Sequence, residues 1–348
     1  MWLMKKYYSE NIEKDTKYRA DYVQGIEKYL WNEKSKIDKI RSQFISPEKY
    51  KKNIKDYRER FISLLGFPLT QKKEMPLVEK TFVVKDENVN IYRMQFEFWG
   101  VLKVYGMYFE QCKNTIDTPL IFGFHGGQGT PELISSIHME SSNYNHLIRR
   151  MTDRGANVFV PQFLLWSVDT YGNNFSRQNI DGKLRQLGGS VTAMELYFLQ
   201  CILDYFVDSG NINAEKIGVA GLSYGGMYAI HFAAIEPRVK VCYSCSWVNN
   251  SFVSSWADWS YYDAQKYFTT LETMALIAPR ALVVAMGDKD ELFDYKRTIE
   301  ECEKLKPYYA EFSCENNFKY VIFHGGHEID KSEIELDFLF EKLIKDES

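Results

Sequence analysis

The chain has 348 residues, enough to bury one large core with a smaller addition. Its 43 Lys and Arg against 47 Asp and Glu leave a net charge of −4, so no basic excess points to nucleic acid or to an anionic membrane surface. No run is apolar enough to cross a bilayer, and MWLMKKYYSENIEK turns polar too soon for a signal peptide. The six cysteines fall mostly inside apolar segments, which predicts a cytoplasmic protein with reduced thiols.

Residues 1 to about 66 carry apolar positions at helical intervals, such as Tyr22, Ile26, Tyr29 and Leu30, then Ile54, Tyr57, Phe61 and Leu64. This predicts two or three amphipathic helices ending near Gly66 and Pro68, a helical extension (1–75) packed on a main domain (76–348). From Thr81 to about Gln111 the pattern alternates and is β-rich, as in two or three antiparallel strands. Short, strongly apolar runs follow: PLIFGF at 119–124, ANVFVPQF at 156–163, IGVA at 217–220, VKVCYSCSW at 239–247, RALVVAMG at 280–287 and KYVIF at 319–323. Helical segments separate them, which predicts an α/β fold, a mostly parallel sheet with helices on both faces. In such sheets the site lies beyond the carboxyl ends of the strands, where the glycines and polar residues collect here.

The stretch Lys216–Ile235 organises the rest. A buried strand must become a helix within the pentapeptide Gly221-Leu222-Ser223-Tyr224-Gly225, followed by Gly226. So sharp a turn strains the central residue, needs neighbours without bulk, and holds the Ser223 hydroxyl at a helix N-terminus. Serine needs a base to act as a nucleophile. His327 lies past the glycines that end the last strand, and Asp290 follows the strand before it. Asp288 and His324 compete for these roles: Asp288 reads as a turn cap and His324 as a residue on the strand side of the glycines. The order Ser223, Asp290, His327 leaves separations of 67 and 37 residues, room for intervening strand–helix units. His125-Gly126-Gly127 can offer the Gly127 N–H to an oxyanion beside the N–H of Tyr224, although glycine there also serves a plain turn. Cys242 and Cys245 read as core strand residues, not as a redox pair. The His and Cys residues lack ligand-like spacing, which predicts no metal and no cofactor.

HGGQG at 125–129, GLSYGG at 221–226, IAPRALVVAMGDKDELF at 277–293 and HGGHE at 324–328 resemble the α/β-hydrolase superfamily, and within it the dienelactone hydrolase and acetyl xylan esterase-like branch. The resemblance covers about residues 76–345. It implies Ser223 as nucleophile, Asp290 as acid, His327 as base, and Gly127 and Tyr224 as oxyanion donors. Dienelactone hydrolases use a cysteine nucleophile, so serine here favours ester hydrolysis. The expected substrate is a small-molecule ester with a small acyl group, carbohydrate esters among them. A peptidase or thioesterase with the same triad and a silent binding member of the fold are the alternatives, and a homo-oligomer is left open. Loops after strands shape specificity. Gln128, Trp166, Trp247 and Trp259 are therefore the candidate substrate contacts, with a small aromatic cap core as the plainer reading of the tryptophans.

Overall fold

The computed structural model describes residues 12–137, 139–164, 176–210 and 212–344. Two helices open it, α1 (Ile12–Phe44) and α2 (Pro47–Leu65). The side chain of Ser46 caps α2 by accepting the Lys49 N–H (3.3 Å), and Gly66 ends it at φ 84°. Gly66 passes so close to Gly188 that a Cβ would lie 2.2 Å from the Gly188 carbonyl oxygen, a contact only glycine allows. The two helices differ in what they bury. Tyr50, Phe61 and Leu65 of α2 join the main core, whereas Tyr22, Ile26, Tyr29 and Leu30 of α1 are exposed. The α1 helix forms as its periodicity requires, but this stripe does not pack on the body as expected.

Three antiparallel strands follow, β1 (Leu77–Asp86), β2 (Val89–Phe98) and β3 (Leu102–Gln111). Next come β4 (Leu120–Phe124), α3 (Pro131–Ile134), α4 (Leu147–Asp153), β5 (Asn157–Pro161), α5 (Arg177–Gln186) and α6 (Val191–Asp208). The second half holds β6 (Ile217–Leu222), α7 (Tyr224–Ile235), β7 (Val239–Cys245), α8 (Thr270–Ala275), β8 (Ala281–Gly287), α9 (Tyr295–Glu311), β9 (Phe318–Phe323) and α10 (Ile334–Ile344). They form one nine-stranded sheet in the order β1-β2-β3-β5-β4-β6-β7-β8-β9, parallel from β5 onward.

Alternate residues of β8 sort into two cores, because successive side chains of a strand point to opposite faces. Leu282, Val284 and Met286 pack with α2, α6, α7, α8 and α9. Ala281, Val283 and Ala285 pack with α4 and α10. Helices therefore cover both faces, and the strands read as continuous apolar runs for that reason. Since β4, β6, β7, β8 and β9 run the same way, their carboxyl ends share one edge. The segments HGG, GLSYGG, GDKD and HGGH all leave from that edge.

Candidate active site

The turn from β6 into α7 has the strain the sequence requires. Ser223 sits at φ 60°, ψ −121°, and its N–H donates to the Cys245 carbonyl (2.9 Å). Each neighbouring glycine is demanded by a close approach. A Cβ on Gly221 would meet the Gly225 oxygen at 2.3 Å, one on Gly225 the Phe124 oxygen at 2.1 Å, and one on Gly226 the Cys245 oxygen at 2.7 Å. From Ile217 to Ile235 every residue is buried except Ser223. The hydroxyl is thus presented, rigidly, at the edge where the strands end. Tyr224 opens α7, so its N–H is among the donors that the helix cannot use internally.

Asp290 and His327 are brought together across the ends of β8 and β9. His327 Nδ1 and Asp290 Oδ2 are 2.8 Å apart, with side chains 10% and 0% exposed. The other Asp290 oxygen accepts the N–H groups of Leu292 (2.9 Å) and Phe293 (3.0 Å). Burial alone would raise the Asp290 pKa, but the hydrogen bond and charge of His327, helped by those two N–H groups, hold it below the usual carboxylate range. An ionised carboxylate only accepts, so the proton between the two lies on Nδ1 and Nε2 is left as the basic nitrogen. The competing pair also forms: His324 Nδ1 meets Asp288 Oδ2 at 3.1 Å, but in the open, with side chains 74% and 37% exposed.

The loop after β4 runs beside Ser223, and a Cβ on Gly126 would lie 3.5 Å from that of Ser223. His125 beneath it is buried and holds the loop: its Nδ1–H donates to the Gly126 carbonyl (2.7 Å) while Nε2 accepts the Phe163 N–H (3.0 Å). Burial lowers its pKa to about 4, so the ring stays neutral in that tautomer. The Gly126 N–H donates to the Tyr144 hydroxyl (2.8 Å), and the Gly129 N–H closes a turn onto the Gly126 carbonyl (3.0 Å). Gly127 and Gln128 occupy the middle of that turn, Gln128 exposed to solvent.

The segment that carries Tyr144 grips the loop of His327 as well. Asn143 Nδ2 donates to the His327 carbonyl (2.9 Å), the Ile329 N–H donates to the Asn143 carbonyl (2.8 Å), and Asn145 Nδ2 donates to Glu328 Oε2 (2.9 Å). Residues 143–145 therefore tie the glycine loop after β4 to the loop after β9. This clamp was not foreseen from sequence. It joins positions 184 residues apart, and its one local sign is the cluster of small polar residues at 141–145, suited to the left-handed backbone that Ser142 and Asn145 adopt.

Tyr224 is anchored from below. Its hydroxyl donates to Asp258 Oδ2 (2.5 Å), which also accepts from Arg177 Nε (2.7 Å). Arg177 reaches Glu195 (3.2 Å) and the Tyr228 hydroxyl (2.7 Å), and Tyr228 donates in turn to Glu195. Burial works against the Arg177 charge, yet Glu195 and Asp258 keep it protonated. The network ties α5, α6, α7 and the segment before α8 under the site. Trp259 packs on Tyr224 (5.1 Å between ring centroids), and Trp247 packs edge-on to His231 (5.6 Å). Both indoles are buried rather than spread at the mouth of the site. Trp166 lies outside the described residues. Cys242 and Cys245 are free thiols on opposite faces of the sheet. Among the described residues no group of three His, Cys, Asp or Glu could hold a metal ion, and no helix is long and apolar enough to cross a membrane.

No protein-family model matches the chain. Among curated proteins, YtaP of Bacillus subtilis strain 168, a hydrolase by designation, is 26% identical in an alignment covering 58% of this chain and 70% of YtaP. Among solved structures, a glucuronoyl esterase from Solibacter usitatus matches with a TM-score of 0.66 at 13% identity, over 86% of this chain and 94% of that one. Acetyl xylan esterase 1 from Thermoanaerobacterium sp. JW/SL YS485 matches with a TM-score of 0.52 at 16% identity, over 83% and 93%. The chain has the α/β-hydrolase fold, in the form that these esterases share.

Proposed function

We propose that the protein is a serine hydrolase that cleaves carboxylic esters with small acyl groups, acetyl esters foremost, by way of an acyl-enzyme on Ser223. The observation that carries this reading is the buried Asp290–His327 pair (2.8 Å) on the same sheet edge as the single solvent-reached residue of the β6–α7 turn. His327 Nε2 takes the Ser223 proton as the hydroxyl attacks the ester carbonyl, and Asp290 stabilises the imidazolium that results. The N–H groups of Gly127 and Tyr224 bind the oxyanion. Such donors act before the reaction and need no reorganisation, and one is worth about 3 kcal/mol in comparable sites. His327 then protonates the departing alcohol. Water, deprotonated by the same nitrogen, attacks the acyl-enzyme, releases the acid and returns the proton to Ser223.

Several structural neighbours are esterases of carbohydrate substrates by name. Esters of sugars therefore belong among the candidates, with a small molecule as the partner rather than nucleic acid or membrane. A cytoplasmic location and the division at about residue 75 remain part of the same proposal. Hydrolysis of p-nitrophenyl acetate through octanoate tests the reading. The expected result is a preference for acetate that falls to the uncatalysed background in Ser223→Ala. Activity that survives the substitution overturns it.

A further inference from the structure

The α1 helix runs well past the body on which it rests. Its second half meets α8 and the segment before it: Trp31 packs edge-on to Phe252 (5.1 Å between ring centroids), and Arg41 pairs with Glu272 (3.3 Å). Toward the N-terminus, every residue from Thr16 to Asn32 is exposed, whichever way it points.

The apolar residues of that stretch are not scattered. Tyr18, Tyr22, Ile26 and Tyr29 follow at steps of 4, 4 and 3 residues, which is one face of a helix, and are 67%, 72%, 41% and 61% exposed. The face continues through Glu33 and Lys36 to Ile40, which is 53% exposed. A neighbouring face meets the body instead, with Lys34 over the Phe252 ring and Arg41 against Glu272. Gly25, beside Ile26, has no local reason to be glycine: a Cβ there would meet nothing within 4 Å, and glycine weakens a helix interior. A long uncovered stripe at steps of three and four is what one helix offers to another, and a glycine in its middle lets two backbones approach.

The charges identify the second helix. Laid antiparallel on another α1 about a two-fold axis at Ile26, Ile26 comes level with itself, Tyr22 with Leu30, Val23 with Tyr29 and Ile12 with Ile40. In the same register Arg19 comes level with Glu33, Lys14 with Asp38 and Glu13 with Lys39, and no like charges come level. A slip of one residue either way ends this. One slip sets Lys17 against Lys34 and Glu13 against Asp38; the other sets Lys14 against Lys39 and Asp15 against Asp38. Arg19 is open to a new partner, being 71% exposed with Asp15 only at 3.9 Å. The area suffices as well. The three tyrosines of each copy, covering about 100 Å² more apiece, supply over half of the roughly 1,000 Å² that a specific interface needs. The aliphatic residues add to this.

We propose that α1 is a dimerisation arm, which pairs antiparallel with α1 of a second copy of this chain about a two-fold axis at Ile26. The pairing uses no residue of the Ser223 site, so it stands or falls apart from the esterase reading.

Sedimentation equilibrium of the full chain tests it, under reducing agent because Cys112 is an exposed thiol. The wild type should be a dimer with a Kd in the micromolar range or below. Ile26→Lys, which puts two like charges on the axis, should raise that Kd at least about thirtyfold. Arg19→Glu and Glu33→Arg, both surface changes that leave the fold alone, should each weaken the dimer several-fold, and the two together should restore it. A chain that stays monomeric at tens of micromolar overturns the proposal, including one whose α1 binds phosphatidylserine vesicles instead. So does a dimer that Ile26→Lys leaves intact, or a double reversal weaker than either single one.

Discussion

Two Asp–His pairs leave the same sheet edge, from the loops that follow the same two strands, and their hydrogen bonds differ by only a few tenths of an ångström. Asp288 and His324 meet in water, while Asp290 and His327 meet under cover. The contact is alike and the surroundings are not. Asp288 is also held below its usual range, chiefly by the hydrogen bond from His324, but solvent screens whatever that pair gains. Asp290 is buried against two backbone N–H groups, and the loop carrying His327 is gripped by Asn143 and Asn145. A hydrogen-bonded acid and imidazole are therefore not a site by themselves. Burial and a fixed backbone are what set the proposed pair, Asp290 and His327, apart.

The sharpest way to break the comparison is to remove each imidazole. His327→Gln should lower kcat by on the order of 10⁵-fold or more, whereas His324→Gln should leave it within about twofold. Steady-state kinetics on p-nitrophenyl acetate decides, and equal losses would erase the distinction. Next come the acids. Asp290→Asn should cost about 10⁴-fold in kcat, since the amide no longer fixes the imidazole tautomer, with Asp288→Asn near wild type. Asp290 carries a stability signature too. Its lowered pKa adds stability above the ordinary carboxylate value that is lost as pH falls through the folded one. Acid unfolding should therefore be shallower in Asp290→Asn.

The clamp gives a smaller effect. Asn143→Ala removes one hydrogen bond to the His327 carbonyl and should reduce kcat roughly tenfold with KM little changed. The corresponding loss at His324 cannot arise, since no described clamp residue grips its carbonyl.

A last test reaches below the buried pair. Glu335 of α10 is buried beside Asp330, and burial with the Asp330 charge raises its pKa to about 7. A carboxyl raised in this way contributes stability when protonated and loses it as pH rises through the folded value. Thermal stability of the wild type should fall as pH rises from the ordinary carboxylate value of 4.5 to about 7, and Glu335→Gln should flatten that fall. An unchanged slope in the variant would remove Glu335 from the account.

Much of this was legible in the chain because each central strand is an apolar run stopped by glycine or a polar residue. The turn at Ser223 could be read because a buried strand that becomes a helix within a few residues brings backbone so close to Gly221, Gly225 and Gly226 that a Cβ has no room. His327 could be chosen over His324 from its place beyond Gly325 and Gly326, where the chain can reach. What could not be read joins distant residues. The clamp of Asn143, Tyr144 and Asn145, and the buried Arg177, Asp258 and Glu195 beneath Tyr224, have no periodicity to reveal them. The exposed stripe on α1 is of the same kind, whereas the burial of Trp247 and Trp259 follows the plainer reading of them as a small aromatic core. Periodicity says that a helix has an apolar face and aromatics say that a surface is flat, but only packing decides what each one meets.

The claim that Ser223 carries the acyl group is tested most directly by rapid-quench mass spectrometry of the full chain reacting with p-nitrophenyl acetate. The account predicts an acetylated peptide containing Ser223 within one turnover, lost in Ser223→Ala and accumulating in wild type when release of the acid is slower than acylation. Acetyl found on another residue in step with turnover, or steady hydrolysis by the Ser223→Ala chain, would contradict it.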